Sequence, residues 1–221
     1  MPISSEDVEA GQAVYSRRVL GIYDILVLGL SNRWIWKCPT KHLLEHYNRY
    51  LSSNHLDVGV GTGYFLDRCV FPSDSPRLAL MDLNENSLEF AARRVRRYSP
   101  AVHRQNALES IPAEIGTFDS IAVNYLLHCL PGSLEEKSAV FDNLSRLMTD
   151  GGVLFGSTLL HDGVARNAMA KKLMAAYNRK GIFSNEGDSL DGLDRVLEQR
   201  FPRYSIDVVG CCAIFVGYRQ A

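Results

Sequence analysis

Leu56-Asp57-Val58-Gly59-Val60-Gly61-Thr62-Gly63-Tyr64-Phe65-Leu66 joins a short apolar run to three glycines at alternate positions and then to a second apolar run. The first run has the length and composition of a strand, and the second starts a helix. Glycines between them let the chain turn tightly and bring its backbone close to a ligand, with no Cβ in the way. A second apolar run, Leu78-Ala79-Leu80-Met81, ends in Asp82, nineteen residues past Gly63. A glycine turn after one strand and an acid ending the next is how α/β folds hold a ribose-bearing cofactor.

The spacing narrows the cofactor. In the dinucleotide fingerprint the third small residue comes three places after the second glycine. Tyr64 occupies that place here, which disfavours a nicotinamide or flavin. No Gly-Lys-Ser/Thr follows, so the loop is not a phosphate-binding P-loop.

Outward from the loop, strands alternate with helices. Strands are expected at 55–58, 77–81, 102–104, 120–124 and 153–157, the last entered through Gly151-Gly152. Helices are expected from Tyr64 and over 87–98, 133–148, 164–180 and 190–200. The chain ends in two strands, 204–209 and 213–218, joined by a short turn, so they must run antiparallel. Residues 8–30 and 39–51 read as helices, parted by Ser31-Asn32 and the aromatics Trp34 and Trp36. The expected fold is α/β: a Rossmann-like, seven-stranded, mostly parallel sheet with an antiparallel last strand and helices on both faces. Residues 1–53 form a helical N-terminal cap of the same domain, and 54–221 the core.

Composition bounds the function. The chain has 221 residues, 46% of them hydrophobic, enough for one domain with an ample core. A net charge of −1 offers no general attraction to nucleic acid or to a membrane surface. No run is long enough to cross a bilayer, and the N-terminus lacks the basic-then-apolar order of a signal peptide. The five cysteines are odd in number and show no C-x-x-C spacing, which suits buried, reduced thiols in a cytoplasmic protein. Asn143-Leu144-Ser145 fits a glycosylation acceptor but falls inside an expected amphipathic helix. The sequence leaves the oligomeric state open.

The D-x-G-x-G-x-G run of Asp57 to Gly63 resembles motif I of the class I S-adenosylmethionine (SAM) methyltransferases. Four further segments carry the same resemblance. Ile22-Tyr23-Asp24, followed by Leu30-Ser31-Asn32 and Trp34-Ile35-Trp36-Lys37, is similar to the N-terminal cap of the ubiquinone/menaquinone C-methyltransferase (UbiE-like) group. Asn106-Ala107 stands where that family usually has Asp-Ala. Phe118 to His128 resembles its strand-four motif with a leucine–histidine end. Leu147 to Leu154 resembles its turn into strand five.

The resemblance implies SAM as cofactor and a small, partly apolar methyl acceptor, such as those of secondary metabolism. It does not choose among carbon, oxygen and nitrogen acceptors. In it, Asp57 orients the loop and neutralises the SAM ammonium, while Gly59, Gly61 and Gly63 allow close approach. Asp82 takes the ribose hydroxyls, though an Asp there also caps helices well. Leu83 sandwiches the adenine, Asn106 and Ala107 meet its edge, and Asn124 ends strand four beside the cofactor. Tyr23 closes over the methionyl end or packs in the core. The cap aromatics Tyr15, Tyr23, Trp34 and Trp36 cover the acceptor.

His128 is the expected general base, with His161 or Asp162 as helpers; the alternative is a half-buried histidine bonded to a carbonyl. The usual acid directly after strand five is missing, as is the acid that Asn106 replaces. Two competing functions stand beside methyl transfer: a non-methylating cyclisation or rearrangement, and a silent SAM-binding module.

Two patterns are set aside. His42-Leu43-Leu44-Glu45-His46 fits an H-x-x-E-H metal motif, but no third ligand is evident and no metal is expected. Arg93, Arg94, Arg96 and Arg97 read as a solvated helix face balanced by acids such as Glu85 and Glu89, not as a nucleic-acid surface.

Overall fold

The protein is described here by a computed structural model over residues 24–220. Tyr23 and Tyr15 lie outside the described residues. Seven strands form one sheet: β1 (Asn54–Val58), β2 (Arg77–Asp82), β3 (Ala101–Arg104), β4 (Phe118–Asn124), β5 (Met148–Leu159), β6 (Arg203–Val209) and β7 (Cys212–Tyr218). Their spatial order is β3-β2-β1-β4-β5-β7-β6. β1 to β5 pair in parallel, and β7 is antiparallel to both β5 and β6. The expected sheet and its antiparallel last strand are both present.

The central strands are buried almost throughout because both faces are covered, and their buried positions are mostly apolar apart from His55, Asp57 and Ser120. One face packs on α4 (Leu134–Lys137), α5 (Ala139–Ser145) and α7 (Leu190–Glu198) through Phe141, Leu144, Leu193 and Phe215. The other packs on α1 (Thr40–Tyr50), α2 (Tyr64–Arg68) and α3 (Glu85–Arg94) through Tyr47, Leu66, Leu88 and Phe155. A third cluster joins α6 (Ala168–Arg179) to the ends of β5 and β7 through Met174, Phe183, Leu159 and Cys212.

Several boundaries move for local reasons. Residues Asp24–Ile35 form a π-helix that runs through the expected break at Ser31-Asn32. Its i→i+5 pattern shows at its end, where the Trp36 amide donates to the Ser31 carbonyl at 2.9 Å. The expected helix 133–148 is split into α4 and α5, and Met148 already belongs to β5. Between the pairs Phe118–Met148 and Ser120–Val153, β5 carries three more residues than β4, so the Gly151-Gly152 turn lies inside the strand. The helix expected from Val164 starts at Ala168, where Asn167 caps it by accepting from the Ala170 amide at 2.8 Å. The helix expected over 87–98 is α3 followed by a 3-10 turn, Arg96–Tyr98.

Trp36 is 1% exposed and packs on Phe183, so it belongs to the core and does not face a ligand; Trp34 is exposed. All five cysteines are free, four of them buried. The Asn143 amide donates to the Ala107 carbonyl within the fold. No described helix is long and apolar enough to cross a membrane.

Candidate cofactor and acceptor site

The strand order places β1 beside β4, with connections leaving in opposite directions, and a crevice opens at that switch point beyond the carboxyl ends. β1 ends at Val58. The Gly59 amide then donates to the Met81 carbonyl at 2.8 Å, which stitches the loop to β2. Gly61 and Gly63 have φ of +51° and +69°, the left-handed region that side chains resist. Their surroundings differ. A Cβ on Gly63 would meet Ala91 of α3 at 3.1 Å, so that glycine serves helix packing. A Cβ on Gly61 would meet nothing within 4 Å, because it would point into the crevice. Gly59 lines both hollows, and a Cβ there would meet the Leu126 side chain at 3.0 Å.

On one side of the loop lies a cleft of about 730 Å³, counted to its open mouth. Gly61, Asp82, Leu83, Asn106, Ala107 and Leu126 all line it. Asp82 accepts the Asn84 amide at 2.9 Å, and the amides of Val60, Gly61 and Leu83 also face it. Burial pushes its carboxyl up to about 6, against the pull of those amides. The cap of α3 is Asn84, which accepts the Ser87 amide at 3.1 Å. Asp82 is therefore not the cap and faces the cleft. Asn106 uses much of its amide locally: Nδ2 donates to Glu109 and Oδ1 accepts from the Leu108 amide. Gln105, unremarked in the sequence, lines the same wall.

On the other side is a hollow of about 520 Å³ walled by Asp57, Thr62, Phe65, Asn124, Tyr125 and Leu28. Asp57 is buried, and Tyr47 donates to its Oδ2 at 2.5 Å. Desolvation raises the Asp57 carboxyl to about 7, the Tyr47 bond opposes this, and Asp82 adds repulsion. Asn124 Oδ1 accepts from Ser157 Oγ at 2.9 Å, while its buried Nδ2 has no hydrogen-bond partner among the described residues. An orphaned donor beside a ligand hollow is a place for an acceptor atom of that ligand.

Tyr125 falls inside the strand-four motif, and the resemblance gives it no role. It lines both hollows, has a left-handed φ of +55°, and donates through its hydroxyl to Asn32 Oδ1 at 3.0 Å. Strain of this kind at a non-glycine residue gathers at ligand sites. No sequence pattern marks it.

His128 sits on a 3-10 turn, Leu127–Cys129, and is 3% exposed. Its ring packs edge-on against Phe183 and Tyr125. The Leu159 amide donates to Nδ1 at 3.3 Å, and Thr158 Oγ1 lies 3.3 Å from the same nitrogen. Burial first, then the charge of Lys137, pulls its pKa down to about 3, so the ring is neutral. Below it, Lys137 Nζ donates to both oxygens of Asp188 at 2.8 Å, both groups fully buried. The Asp188 carbonyl accepts the amides of His161 and Asp162, which ties the segment after β5 to this pair.

His46 Nε2 bonds the Phe215 carbonyl at 3.0 Å while His42 pairs with Glu45, and the described residues hold no group of three metal ligands. Arg94 and Arg97 pair with Asp67 of α2, an acid other than those expected.

Residues 56–154 match the family profile described as a methyltransferase domain. Over 95% of its length the chain is 39% identical to Demethylluteothin O-methyltransferase of Streptomyces thioluteus, covering 91% of that protein. It is 46% identical to the uncharacterized protein YbcY of Escherichia coli (strain K12), over 85% of this chain and 97% of that one. Among solved structures, DhpI in complex with SAH superposes with a TM-score of 0.71 at 15% identity, covering 99% of each chain.

Proposed function

The chain belongs to the class I SAM-dependent methyltransferases, and within that family we propose that it is a cytoplasmic enzyme that methylates a hydroxyl of a small, partly apolar molecule of secondary metabolism. The hydroxyl acceptor follows the name of the Streptomyces thioluteus relative. The Tyr23-Asp24, Ser31 and Trp34 pattern supports a place near the UbiE-like group, with residues 1–53 as the cap and Tyr23 at the methionyl end.

The residues present suit SAM. Gly61 leaves the opening, two carboxylates offer negative charge to a cationic ligand, and Asn124 Nδ2 awaits an acceptor. Asp82 would hold the ribose hydroxyls, Leu83 the adenine face, and Asn106 and Ala107 its edge. Asp57, Gly59, Gly63 and Asn124 would hold the amino-acid end. Bound there, SAM supplies a methyl group on a sulfonium, already primed to leave. The chain's remaining work is alignment, exclusion of water and removal of the hydroxyl proton. His128 is the residue we assign to that proton. It is a weak base, so it takes the proton as the new bond forms and not before it, and alignment carries most of the rate.

The observation that carries the reading is the open Cβ direction of Gly61 between the two carboxylates. Calorimetry should show that both SAM and its product SAH bind one to one. Mass spectrometry of phenolic and enolic acceptors incubated with SAM should then show one methyl gained at oxygen. Absence of binding by either overturns the cofactor assignment, and a methyl gained at carbon or nitrogen overturns the hydroxyl.

A further inference from the structure

Behind the glycine loop, five polar side chains run in line through the core. Ser52 Oγ lies 2.8 Å from Ser120 Oγ, and Ser120 Oγ lies 2.8 Å from His55 Nδ1. His55 Nε2 lies 2.9 Å from Tyr47 Oη, which in turn lies 2.5 Å from Asp57 Oδ2. Ser120, His55 and Tyr47 are wholly buried, Ser52 is half-buried, and Asp57 borders the loop hollow. Aromatic rings sheathe the line: Phe65 stacks on Tyr47, and Phe155 and Phe71 flank His55. Hydroxyls and a neutral imidazole each give one hydrogen and take another, so such a line can be read in either direction.

We propose that Tyr47, His55 and Ser120 form a proton relay from Asp57 to Ser52, and that these three positioning residues let Asp57 change its charge as the cofactor binds. The proposal rests on the reading that SAM binds at the glycine loop. The steps balance. The proton on Asp57 Oδ2 passes to Tyr47 Oη, whose own proton passes to His55 Nε2. The proton on His55 Nδ1 passes to Ser120 Oγ, the Ser120 proton passes to Ser52 Oγ, and Ser52 releases its own to water. One proton leaves. Asp57 is left as a carboxylate accepting from Tyr47, and His55 has exchanged its Nδ1–H tautomer for Nε2–H without ever becoming charged. In both states the Ser52 amide donates to Ser120 Oγ at 2.9 Å, leaving that hydroxyl one hydrogen to give and one lone pair to accept with, and the proton that Ser52 gives up is the one its Oγ holds against the Asn54 carbonyl at 2.8 Å.

The groups around Asp57 agree with this. From β2, Asp82 repels a second carboxylate, which favours a proton on Asp57 until a cation arrives. From α1, Tyr47 is held well above its ordinary value and stays protonated. Past α2, burial pushes the Cys69 thiol up to about 12, so it carries no charge. On Asp57's own strand, burial holds His55 down at about 3, neutral throughout the range in which Asp57 ionises near 7.

Nitrogen-15 NMR of the full chain with labelled histidine tests the relay, with His55 assigned by its loss in His55→Gln. The expected result is a neutral His55 that moves from the Nδ1–H to the Nε2–H tautomer as pH rises through about 7. Saturating SAM should move that midpoint to lower pH, and Asp57→Asn should abolish the pH response. In Tyr47→Phe, SAM should still bind by calorimetry while the His55 tautomer ceases to follow it. A single tautomer at all pH values with and without SAM, a charged His55 near neutrality, or a Tyr47→Phe protein that responds like wild type would each overturn the relay. Failure of SAM to bind would instead overturn the cofactor reading, and the pH titration of the free protein would still judge the relay.

Discussion

The two halves of the crevice are built from different materials. The half we propose for the cofactor is built largely of backbone: left-handed glycines, strand ends, and amides converging on Asp82. The half we propose for the acceptor rests on long-range side-chain packing: behind Tyr125, which lines both hollows, His128 sits between Phe183 and Tyr125, over a buried Lys137–Asp188 pair fifty-one residues apart in sequence, and itself lines neither hollow. A backbone cradle tolerates many neighbours, so one fold can keep its cofactor while the packed half is rebuilt for another acceptor.

The sharpest break in this contrast is Gly61→Val. It should abolish measurable SAM and SAH binding, while strain at a left-handed position costs the fold only about 1–2 kcal/mol. Gly63→Val should do the reverse in kind, unfolding readily because it strikes the backbone of α3. Equal loss of stability in both, by urea denaturation, would erase the division of labour within the loop.

Lys137→Ala probes the other half. It leaves Asp188 buried and unpaired, which should cost about 3–5 kcal/mol of stability. The protein that remains folded should bind SAH as wild type does. A loss of SAH affinity would mean the halves are not independent.

The same boundary divides what was legible in sequence. The glycine turn after β1, the acid that ends β2 and the alternation of strands with helices could be read because each depends on neighbours within a strand–turn–helix unit. Asn84 displaced Asp82 as the cap of α3 for an equally local reason that the spacing did not weigh. Tyr47, His55 and Ser120 were invisible, since they meet only when α1, β1 and β4 pack. Tyr125 hides because nothing in its residue type announces a left-handed backbone. His128 was visible as a residue but not as a buried one, because Phe183 and Leu159 arrive from distant segments.

Charge offers a finer test within the cofactor half. Both carboxyls are raised above their unfolded values, to about 7 for Asp57 and about 6 for Asp82. The free folded protein thus binds more protons than the unfolded chain between about pH 4 and 7, and its stability should fall as pH rises through that window. Asp57→Asn should remove the larger part of that fall, worth a few kcal/mol. A flat pH profile in the wild type would mean that both groups are ionised like surface acids.

Asp82→Ala should weaken SAM and SAH alike, by about 1.5–3 kcal/mol, if its carboxylate holds groups common to both. A loss confined to SAM would move Asp82 from the ribose to the charged end.

The smallest expected effect decides how the acceptor half works. Nδ1 of His128 has two suitors at 3.3 Å: the Leu159 amide, which can only donate, and Thr158 Oγ1, which can accept. With Leu159 the proton sits on Nε2, and His128 can only donate to an acceptor oxygen. With Thr158 the proton sits on Nδ1, and Nε2 is free to take the hydroxyl proton. The general-base role proposed for His128 therefore requires the Thr158 bond. Thr158→Val keeps the shape of this wholly buried side chain and deletes that bond. A single hydrogen bond is worth about 0.5–1.5 kcal/mol, so turnover should fall several-fold to about tenfold with SAM affinity unchanged, and Thr158→Ser should restore it. His128→Ala should cost about 10²–10⁴ in turnover on the same assay. Full turnover in Thr158→Val beside a dead His128→Ala would show that His128 works from Nε2–H, holding the acceptor oxygen in line while the proton leaves by another path.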